Sequence, residues 1–119
     1  MDIRRFDITE PPGPRMSRSV VRGDTVYLCG LTANDAAADI KGQTREVLEK
    51  IDHYLAAAGS DKSKLLQAQL WIKDIALFAE MNSVWNAWID PRNPPARACV
   101  EAKLARPGLL IEIMVTAAL

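Results

Sequence analysis

Two charged residues in the last third of the chain have the types and the setting needed for chemistry on a small acid. The stretch NPPARACVEAKLARPG, Asn93 to Gly108, alternates in the manner of a half-buried strand, and Arg97 lies near its start. A later strand, LLIEIMVTA, holds Glu112 among apolar neighbours. An arginine fork can bind a planar carboxylate through two parallel hydrogen bonds. Burial raises a carboxyl pKa toward neutrality, so Glu112 could orient a water molecule or relay a proton.

Each residue also has a simpler interpretation that the sequence leaves open. An arginine at a strand start is more often an interface residue or a surface ion-pair partner. A glutamate such as Glu112 is more often a solvated strand residue.

The register of the last two strands bears on whether Arg97 and Glu112 meet. The Pro-Gly pair within Ala105 to Gly108 predicts a hairpin loop, with Leu104 opposite Leu109. That register gives one shared face to the following residues: Arg97, Cys99, Glu101, Glu112, Met114 and Thr116. It also separates Arg97 from Glu112 by about 13 Å along the strand. We therefore expect Arg97 of one subunit to meet Glu112 of a neighbour.

The chain has few other side chains that could act as nucleophiles or metal ligands. Cys29 and Cys99 lie in apolar runs, and no Cys-His cluster has metal spacing, so free thiols and no metal are predicted. The only histidine, His53, lies on a predicted helix, which argues against a Cys-His catalyst. Helix or core positions are the interpretation for His53, Tyr54, Trp71, Trp85 and Trp88. Gly30 permits close backbone approach to a ligand, although a bulge explains it equally well.

The elements that must position these residues follow from periodicity and turn signals. RSVVRGDTVYLCGLT predicts two strands around a Gly-Asp turn, and RRFDI a short strand before them. Apolar spacing predicts a helix over Asp39–Ala58, with Gly59 as its C-terminal cap. LLQAQLWIK predicts a strand, and Asp74 caps a second helix with an apolar face. The order β-β-α-β-α-β-β predicts an α+β fold, a mixed sheet with both helices on one face. The other face is too apolar for full solvation, which predicts self-association.

Composition limits the remaining possibilities. The 119 residues are 49% hydrophobic and 25% charged, which fits one domain over residues 1–119. Lys plus Arg and Asp plus Glu both total 15, so the net charge is zero. The chain therefore has no overall positive charge that would favour binding to nucleic acid or to an anionic membrane. The charged N-terminus and the absence of a long apolar window predict a cytoplasmic protein without a membrane segment.

Three segments together resemble a known family. DIKGQTREVLEKIDHYLAAAGS, LLQAQLWIKDIALFAEMNSVW and PPARACVEAKLARPGLLIEIMV are similar to the Rid (reactive intermediate deaminase) proteins, also called YjgF or endoribonuclease L-PSP proteins. The resemblance covers the chain from about Ser19 to its end. The Pro-Ala-Arg-x-x-Val-Glu block, with an Ile-Glu-Ile strand at the same spacing, is its most specific element.

The resemblance implies a chorismate-mutase-like subunit in a barrel-cored homotrimer, with sites in the clefts between subunits. It also implies cofactor-independent hydrolysis of 2-aminoacrylate-type enamines and imines to 2-ketoacids and ammonia. Arg97 matches the residue that binds the substrate carboxylate, and Glu112 the one that places the attacking water. The main chain around Cys99 matches a segment that hydrogen-bonds the substrate or water, and Asn82 a common asparagine near the cleft.

Two departures from the family pattern leave a second function open. Met16 stands where many active members have a tyrosine, and Cys29 stands where they have a serine before Gly30. These changes suggest altered substrate choice or lower activity. The alternative is a non-catalytic trimer that binds a ketoacid-like metabolite. The ribonuclease implied by one family name is disfavoured, because the chain has no basic run and no stacking aromatics on the strand face.

Overall fold

The computed structural model describes residues 1–119, which form seven strands and two helices. In chain order these are β1 (Ile3–Ile8), β2 (Ser17–Arg22), β3 (Thr25–Leu28), β4 (Leu31–Thr32), α1 (Ile40–Ala57), β5 (Leu65–Ile72), α2 (Phe78–Trp88), β6 (Ala96–Glu101) and β7 (Ile111–Ala118). All strands belong to one mixed sheet of order β1-β2-β3-β7-β5-β6, with β4 also paired to β7. The predicted α+β class is confirmed.

The first helix follows its sequence signals closely. The Asp39 side chain accepts a hydrogen bond from the backbone N–H of Gly42 at 2.8 Å, which caps the N-terminus of α1. At the other end Gly59 has φ +85°, and the next N–H, that of Ser60, bonds back to the carbonyl of Leu55 at 2.8 Å. The helix predicted over Asp39–Ala58 is therefore confirmed with its caps. Its buried side chains are Ile40, Gln43, Thr44, Val47, Leu48, Ile51 and Leu55.

The N-terminal hairpin is also confirmed, with one break. Strands β2 and β3 pair across the Gly23-Asp24 turn, where Gly23 has φ +60°. The strand predicted to run on to Leu31 stops at Leu28 and resumes as β4, so Cys29 and Gly30 lie between two strand segments.

Asp74 caps a 3₁₀ turn that leads into α2, by accepting a bond from the Ala76 N–H at 2.9 Å. From the apolar face of α2, Met81, Val84 and Trp85 are buried.

The predicted hairpin of the last two strands is wrong. Strand β5 lies between β6 and β7, parallel to β6 and antiparallel to β7. The reason is the helix between β5 and β6: a strand-helix-strand crossover brings its two strands side by side in parallel. Leu104 and Leu109 are consequently not strand partners.

A buried glutamine holds the connection that replaces the predicted turn. Gln43 of α1 has none of its surface exposed, and its Nε2 donates to the Gly108 carbonyl at 2.9 Å. Its Oε1 accepts a bond from the Leu110 N–H, also at 2.9 Å. The segment between β6 and β7 is thereby fixed to α1.

The two faces of the sheet have different environments. Both helices pack on one face and enclose a single apolar core that includes Leu70, Ile111 and Ile113. The opposite face, here called the open face, exposes about half of Tyr27 and Val100 and 42% of Met114. No helix has the length and apolarity needed to cross a membrane.

Candidate active site

Arg97 lies on the helix-covered face of the sheet, at an edge strand. In the parallel register of β5 and β6 it pairs with Ala68, which is buried in the core. Its guanidinium carbon lies 5.2 Å from the ring centre of Trp85 and 5.8 Å from that of Phe78, both on α2. At these distances the ring faces attract the cation, and more strongly where water is excluded. The two rings therefore restrict where the guanidinium can point.

The guanidinium has no counter-ion in the chain. No carboxylate lies within 4.0 Å of Arg97, and its Nη1 is buried without a hydrogen-bond partner. A buried donor left unpaired costs about 1–3 kcal/mol, and more when it is charged. An anionic ligand with an acceptor oxygen at this position would recover that free energy.

Asn82 lies on the same side of α2 as the two rings. It comes four residues after Phe78 and three before Trp85, the spacings at which helix side chains are neighbours. Its Oδ1 is likewise buried without a partner. We call Phe78, Asn82, Trp85 and Arg97 the arginine site.

Glu112 lies on the other side of the sheet. It pairs with Thr32 of β4 and with Trp71 of β5, whose side chain alternates with those of the core-facing Leu70 and Ile72. Burial raises the pKa of the Glu112 carboxyl above its ordinary value of 4.5 and is the only cause of the shift. The group is thus moved toward the range in which a carboxyl can both accept and donate a proton.

The carboxylate of Glu112 packs against the backbone of Gly30. A Cβ atom at position 30 would lie 2.2 Å from Glu112 Oε2, closer than any non-bonded contact allows. The break between β3 and β4 and the missing side chain at Gly30 together make room for the carboxylate. At Gly30 the strand is interrupted, and the backbone lies close to the Glu112 carboxylate; close approach to a ligand stays a prediction.

A cleft of about 1000 Å³ opens beside Glu112, and we call it the glutamate cleft. Among the residues that line it are Met16, Arg18, Gly30, Lys50, Tyr54 and Glu112. Lys50 is fixed there, because its Nζ donates to the Thr32 carbonyl at 2.6 Å and to Asn34 Oδ1 at 2.9 Å. The cleft therefore has one side built by α1 and another by the strand segments around Gly30.

The wall of the cleft is further tied down by Glu46. Its carboxylate accepts bonds from the backbone N–H groups of Asn34 at 2.5 Å and Asp35 at 3.2 Å. The Asn34 bond is the main reason that the pKa of Glu46 is lowered. Glu46 is consequently a structural anion, in contrast to Glu112.

Neither cysteine has the features of a nucleophile. Both thiols are free and half-buried. Burial raises the pKa of Cys29, although the neighbouring Arg18 opposes the shift, and burial likewise raises the pKa of Cys99. A raised pKa leaves less thiolate at neutral pH, which agrees with the sequence argument against cysteine catalysis.

The predicted site residues fall into two groups in one chain. Met16, Gly30 and Glu112 line the glutamate cleft, and Cys29 precedes Gly30 at its wall. Arg97 belongs to the arginine site with Asn82, and Cys99 shares its face of β6. The prediction that Arg97 and Cys99 share a face with Glu112 is wrong, because it depended on the β6–β7 hairpin.

Sequence reasoning missed two members of the arginine site and part of the cleft. The tryptophans were interpreted as core residues, and Trp85 is indeed buried, but it also flanks Arg97. The available signal was the i, i+4, i+7 spacing of Phe78, Asn82 and Trp85, which places an amide between two rings. Tyr54 and His53, interpreted as helix or core residues, line the cleft.

Comparison with known proteins matches nearly the whole chain to one family. The model of the family described as Endoribonuclease L-PSP matches residues 8–119. A RutC family protein from Haemophilus ducreyi is 38% identical over 117 residues, which cover 98% of this chain and 97% of that protein. A protein from Acinetobacter baylyi named 3-aminoacrylate deaminase RutC is 32% identical over 111 residues, covering 88% of this chain and 87% of that protein.

Solved structures agree with this match. A member of the YjgF protein family from Neisseria meningitidis superposes with a TM-score of 0.91 at 42% identity, covering 99% of this chain and 95% of that one. A protein from Pseudomonas aeruginosa has the same TM-score at 34% identity, with 98% of both chains covered. Fold and sequence thus point to the same family.

Proposed function

Because the chain belongs to the endoribonuclease L-PSP family, the Rid or YjgF proteins, we propose that it hydrolyses small 2-imino or 2-enamino acids to 2-ketoacids and ammonia. The observation that carries this proposal is the arginine site. A guanidinium with a buried, unpartnered Nη1 and no carboxylate within 4.0 Å is suited to an anionic ligand. Every 2-imino acid supplies a carboxylate next to the reacting carbon.

The reaction needs a water molecule and a proton carrier. A 2-enamino acid first transfers a proton from its nitrogen to its β-carbon and becomes the 2-imino acid. Water then adds to the C=N carbon, forming a C–O bond, and one water proton passes to the nitrogen. In the second stage the new hydroxyl gives up its proton to the nitrogen, the C=O bond forms, the C–N bond breaks and ammonia leaves. Glu112 accepts each proton from oxygen and returns it to nitrogen, a role favoured by the raised pKa of its partly buried carboxyl. Arg97 and Glu112 together hold the carbon and the water in reacting geometry, which supplies part of the acceleration.

These two residues can serve one reaction only if two subunits combine. Arg97 lies on the helix-covered face and Glu112 on the open face of the same sheet. We propose a homotrimer in which the arginine site of one subunit closes the glutamate cleft of the next. The partly exposed Tyr27, Val100 and Met114 support this assembly, because they are apolar residues on a face that no helix covers.

A relative supports the chemistry. The Acinetobacter baylyi protein is named for deamination of 3-aminoacrylate, an enamine that carries a carboxylate. In 3-aminoacrylate the nitrogen lies one carbon farther from the carboxylate than in a 2-imino acid, so the two kinds of substrate share an enamine-type nitrogen and a carboxylate and differ in their spacing. The roles proposed here are Arg97 as carboxylate anchor and Glu112 as the residue that orients water.

A second function, binding of a 2-ketoacid or similar metabolite without turnover, is favoured by the cleft lining. Met16, which lines the cleft, has no hydroxyl to offer. Cys29, which precedes the cleft residue Gly30 in the chain, has a thiol with a raised pKa where a serine would offer a stronger hydrogen bond. The two functions share Arg97 and differ in whether Glu112 and water complete the reaction.

Release of ammonia and ketoacid from enzymatically generated 2-aminoacrylate tests the proposal. We expect turnover above the uncatalysed rate, and we expect Arg97→Ala to lower kcat/KM by roughly 10–100-fold, since it removes hydrogen bonds to a charged group. Arg92→Ala, an exposed arginine in the loop before β6, is the matched control. Equal activity of Arg97→Ala and wild type would refute the role of Arg97. Ketoacid binding without turnover of any imine would favour the second function.

A further inference from the structure

Two buried polar atoms distinguish the arginine site from the rest of the molecule. Asn82 Oδ1 and Arg97 Nη1 are the buried side-chain nitrogen and oxygen atoms that lack any hydrogen-bond partner. Most buried polar side-chain atoms in proteins are paired, so an unpaired one needs a reason. Here the two differ in kind: one is an acceptor and the other is a donor.

The two atoms belong to facing elements. Arg97 projects from β6 toward α2, where Trp85 and Phe78 flank its guanidinium. Asn82 lies between these two rings along the helix, one turn from each. The amide and the guanidinium nevertheless form no hydrogen bond with each other. The site thus holds one unpaired donor, on β6, and one unpaired acceptor, on α2.

A carboxylate alone satisfies only half of this arrangement, because it has acceptor oxygens for Arg97 and no donor for Asn82. A molecule that satisfies both must carry an N–H group or another donor close to its carboxylate. A 2-imino acid has that combination, with its nitrogen on the carbon next to the carboxylate. The corresponding 2-ketoacid has a carbonyl oxygen in that place.

We propose that Asn82 accepts a hydrogen bond from the substrate nitrogen and so discriminates the imino acid from its ketoacid product. The proposal rests on the proposed function for the identity of the substrate. Hydrolysis replaces the N–H donor by an oxygen, so Asn82 Oδ1 is again left without a partner. Sites built to hydrogen-bond a particular group discriminate strongly against an analogue that lacks it. The product is thus bound less tightly than the substrate and leaves.

Unreactive probes test the recognition directly. Oxamate carries an amide N–H beside its carboxylate, whereas pyruvate has the same shape without that donor. By calorimetry we expect wild type to bind oxamate about tenfold more tightly than pyruvate, the size of effect typical of one hydrogen bond to a buried group. In Asn82→Ala the two affinities should converge, mainly through weaker oxamate binding. Asn86→Ala, an exposed asparagine on the same helix, should keep the wild-type preference.

A turnover measurement separates a substrate-binding role of Asn82 from a purely structural role. Asn82→Ala should lower kcat/KM for 2-aminoacrylate while pyruvate binding stays within about twofold of wild type, because pyruvate makes no bond to the amide. If Asn82→Ala does not fold, Asn82→Ser allows the same comparison of oxamate and pyruvate binding. The preference of wild type for oxamate is measured without either variant.

Four outcomes separate the possibilities. Equal affinity of wild type for oxamate and pyruvate overturns the proposal, as does an equal loss of both ligands in Asn82→Ala. An Asn82-dependent preference for oxamate without turnover of any imine refutes the deaminase and leaves the recognition of nitrogen intact. Turnover without that preference refutes the role of Asn82 and leaves the deaminase intact.

Discussion

Arg97 and Glu112 lie on opposite faces of one sheet, with β5 between their strands. Arg97 shares its face with Ala68 in the core, whereas Glu112 is paired with Trp71 on the open face. The sheet itself separates the two side chains within a chain. If both act on one small substrate, each comes from a different subunit.

Mixed assemblies of two impaired variants test this division. Subunits carrying Arg97→Ala and subunits carrying Glu112→Gln are each expected to have at most about a tenth of wild-type activity alone. After unfolding and joint refolding in equal amounts, about one site in four combines an intact arginine with an intact glutamate by random assortment. We therefore expect recovery of about a quarter of wild-type activity. No recovery in verified mixed assemblies would place both residues in one subunit's site.

A charge on the open face should disrupt the assembly. Met114 is 42% exposed on β7, next along the open face from Glu112. Met114→Glu would bury a carboxylate in a subunit contact, at a cost of several kcal/mol. We expect light scattering to report monomers for Met114→Glu and trimers for wild type.

Ala87→Glu is the matched control for that experiment. Ala87 is exposed on α2, on the side of that helix away from Phe78 and Asn82 and on the helix-covered side of the sheet. It should keep the wild-type mass. A trimeric Met114→Glu protein would argue against the open face as the contact.

Gly30→Ala should separate activity from stability. The new Cβ would lie 2.2 Å from Glu112 Oε2, so the carboxylate must move, and the side chain is flexible enough to do so. Replacing glycine where the backbone is compatible changes stability by only about 0.4–1 kcal/mol. We expect at least a roughly tenfold loss of kcat with a melting temperature within a few degrees of wild type. A variant with full activity would show that the position of Glu112 is not critical.

The pH dependence of stability should reveal the buried Glu112. Its pKa is raised in the folded protein, so the folded state binds more protons than the unfolded state above pH 4.5, and stability falls as pH rises through the folded pKa. Glu112→Gln removes this dependence. The variant should gain stability relative to wild type near pH 8, and the gain should disappear below pH 4.5. Chemical denaturation at both pH values measures it, and a gain of equal size at both would contradict the assignment.

Gln43 should be a major stabilising residue of the fold. Besides Gly108 and Leu110, its amide bonds the Ala38 carbonyl at 3.0 Å. Gln43→Ala leaves these backbone groups without partners and opens a cavity, which should lower the free energy of unfolding by about 2–4 kcal/mol. Arg45→Ala, at an exposed position on α1, should change it by less than about 0.5 kcal/mol. Urea unfolding of both variants tests the difference.

The sequence predicted local structure well and strand pairing poorly. Helix α1 was predicted with both caps, because Asp39 and Gly59 act on residues within one turn of them. The β6–β7 hairpin was inferred from the Pro-Gly pair, a local signal too. The pairing actually depends on a crossover through α2 and on the contact of Gln43 with Gly108, which is 65 residues away in the chain. A local sequence pattern cannot predict a contact between residues that are so far apart in the chain.

For the site, the sequence suggested candidate residues and gave no geometry. Family resemblance pointed to Arg97, Glu112 and Asn82 without indicating which face each occupies. The aromatic neighbours of Arg97 were not foreseen, since Trp85 satisfies the apolar pattern of a core residue and contacts the guanidinium as well. A residue that packs in the core and also contacts a charged side chain gives the same sequence pattern as a residue that only packs in the core.

The unpaired Nη1 of Arg97 has a consequence for finding the natural ligand. A folded protein that leaves a buried donor unsatisfied gains stability from any molecule that satisfies it, in proportion to the logarithm of ligand concentration over Kd. At a concentration about 100 times Kd the gain is about 2.7 kcal/mol, enough to shift a melting curve by several degrees. A collection of cellular carboxylic acids can thus be ranked by melting temperature alone, with Arg97→Ala as the blank, before any reaction is assayed.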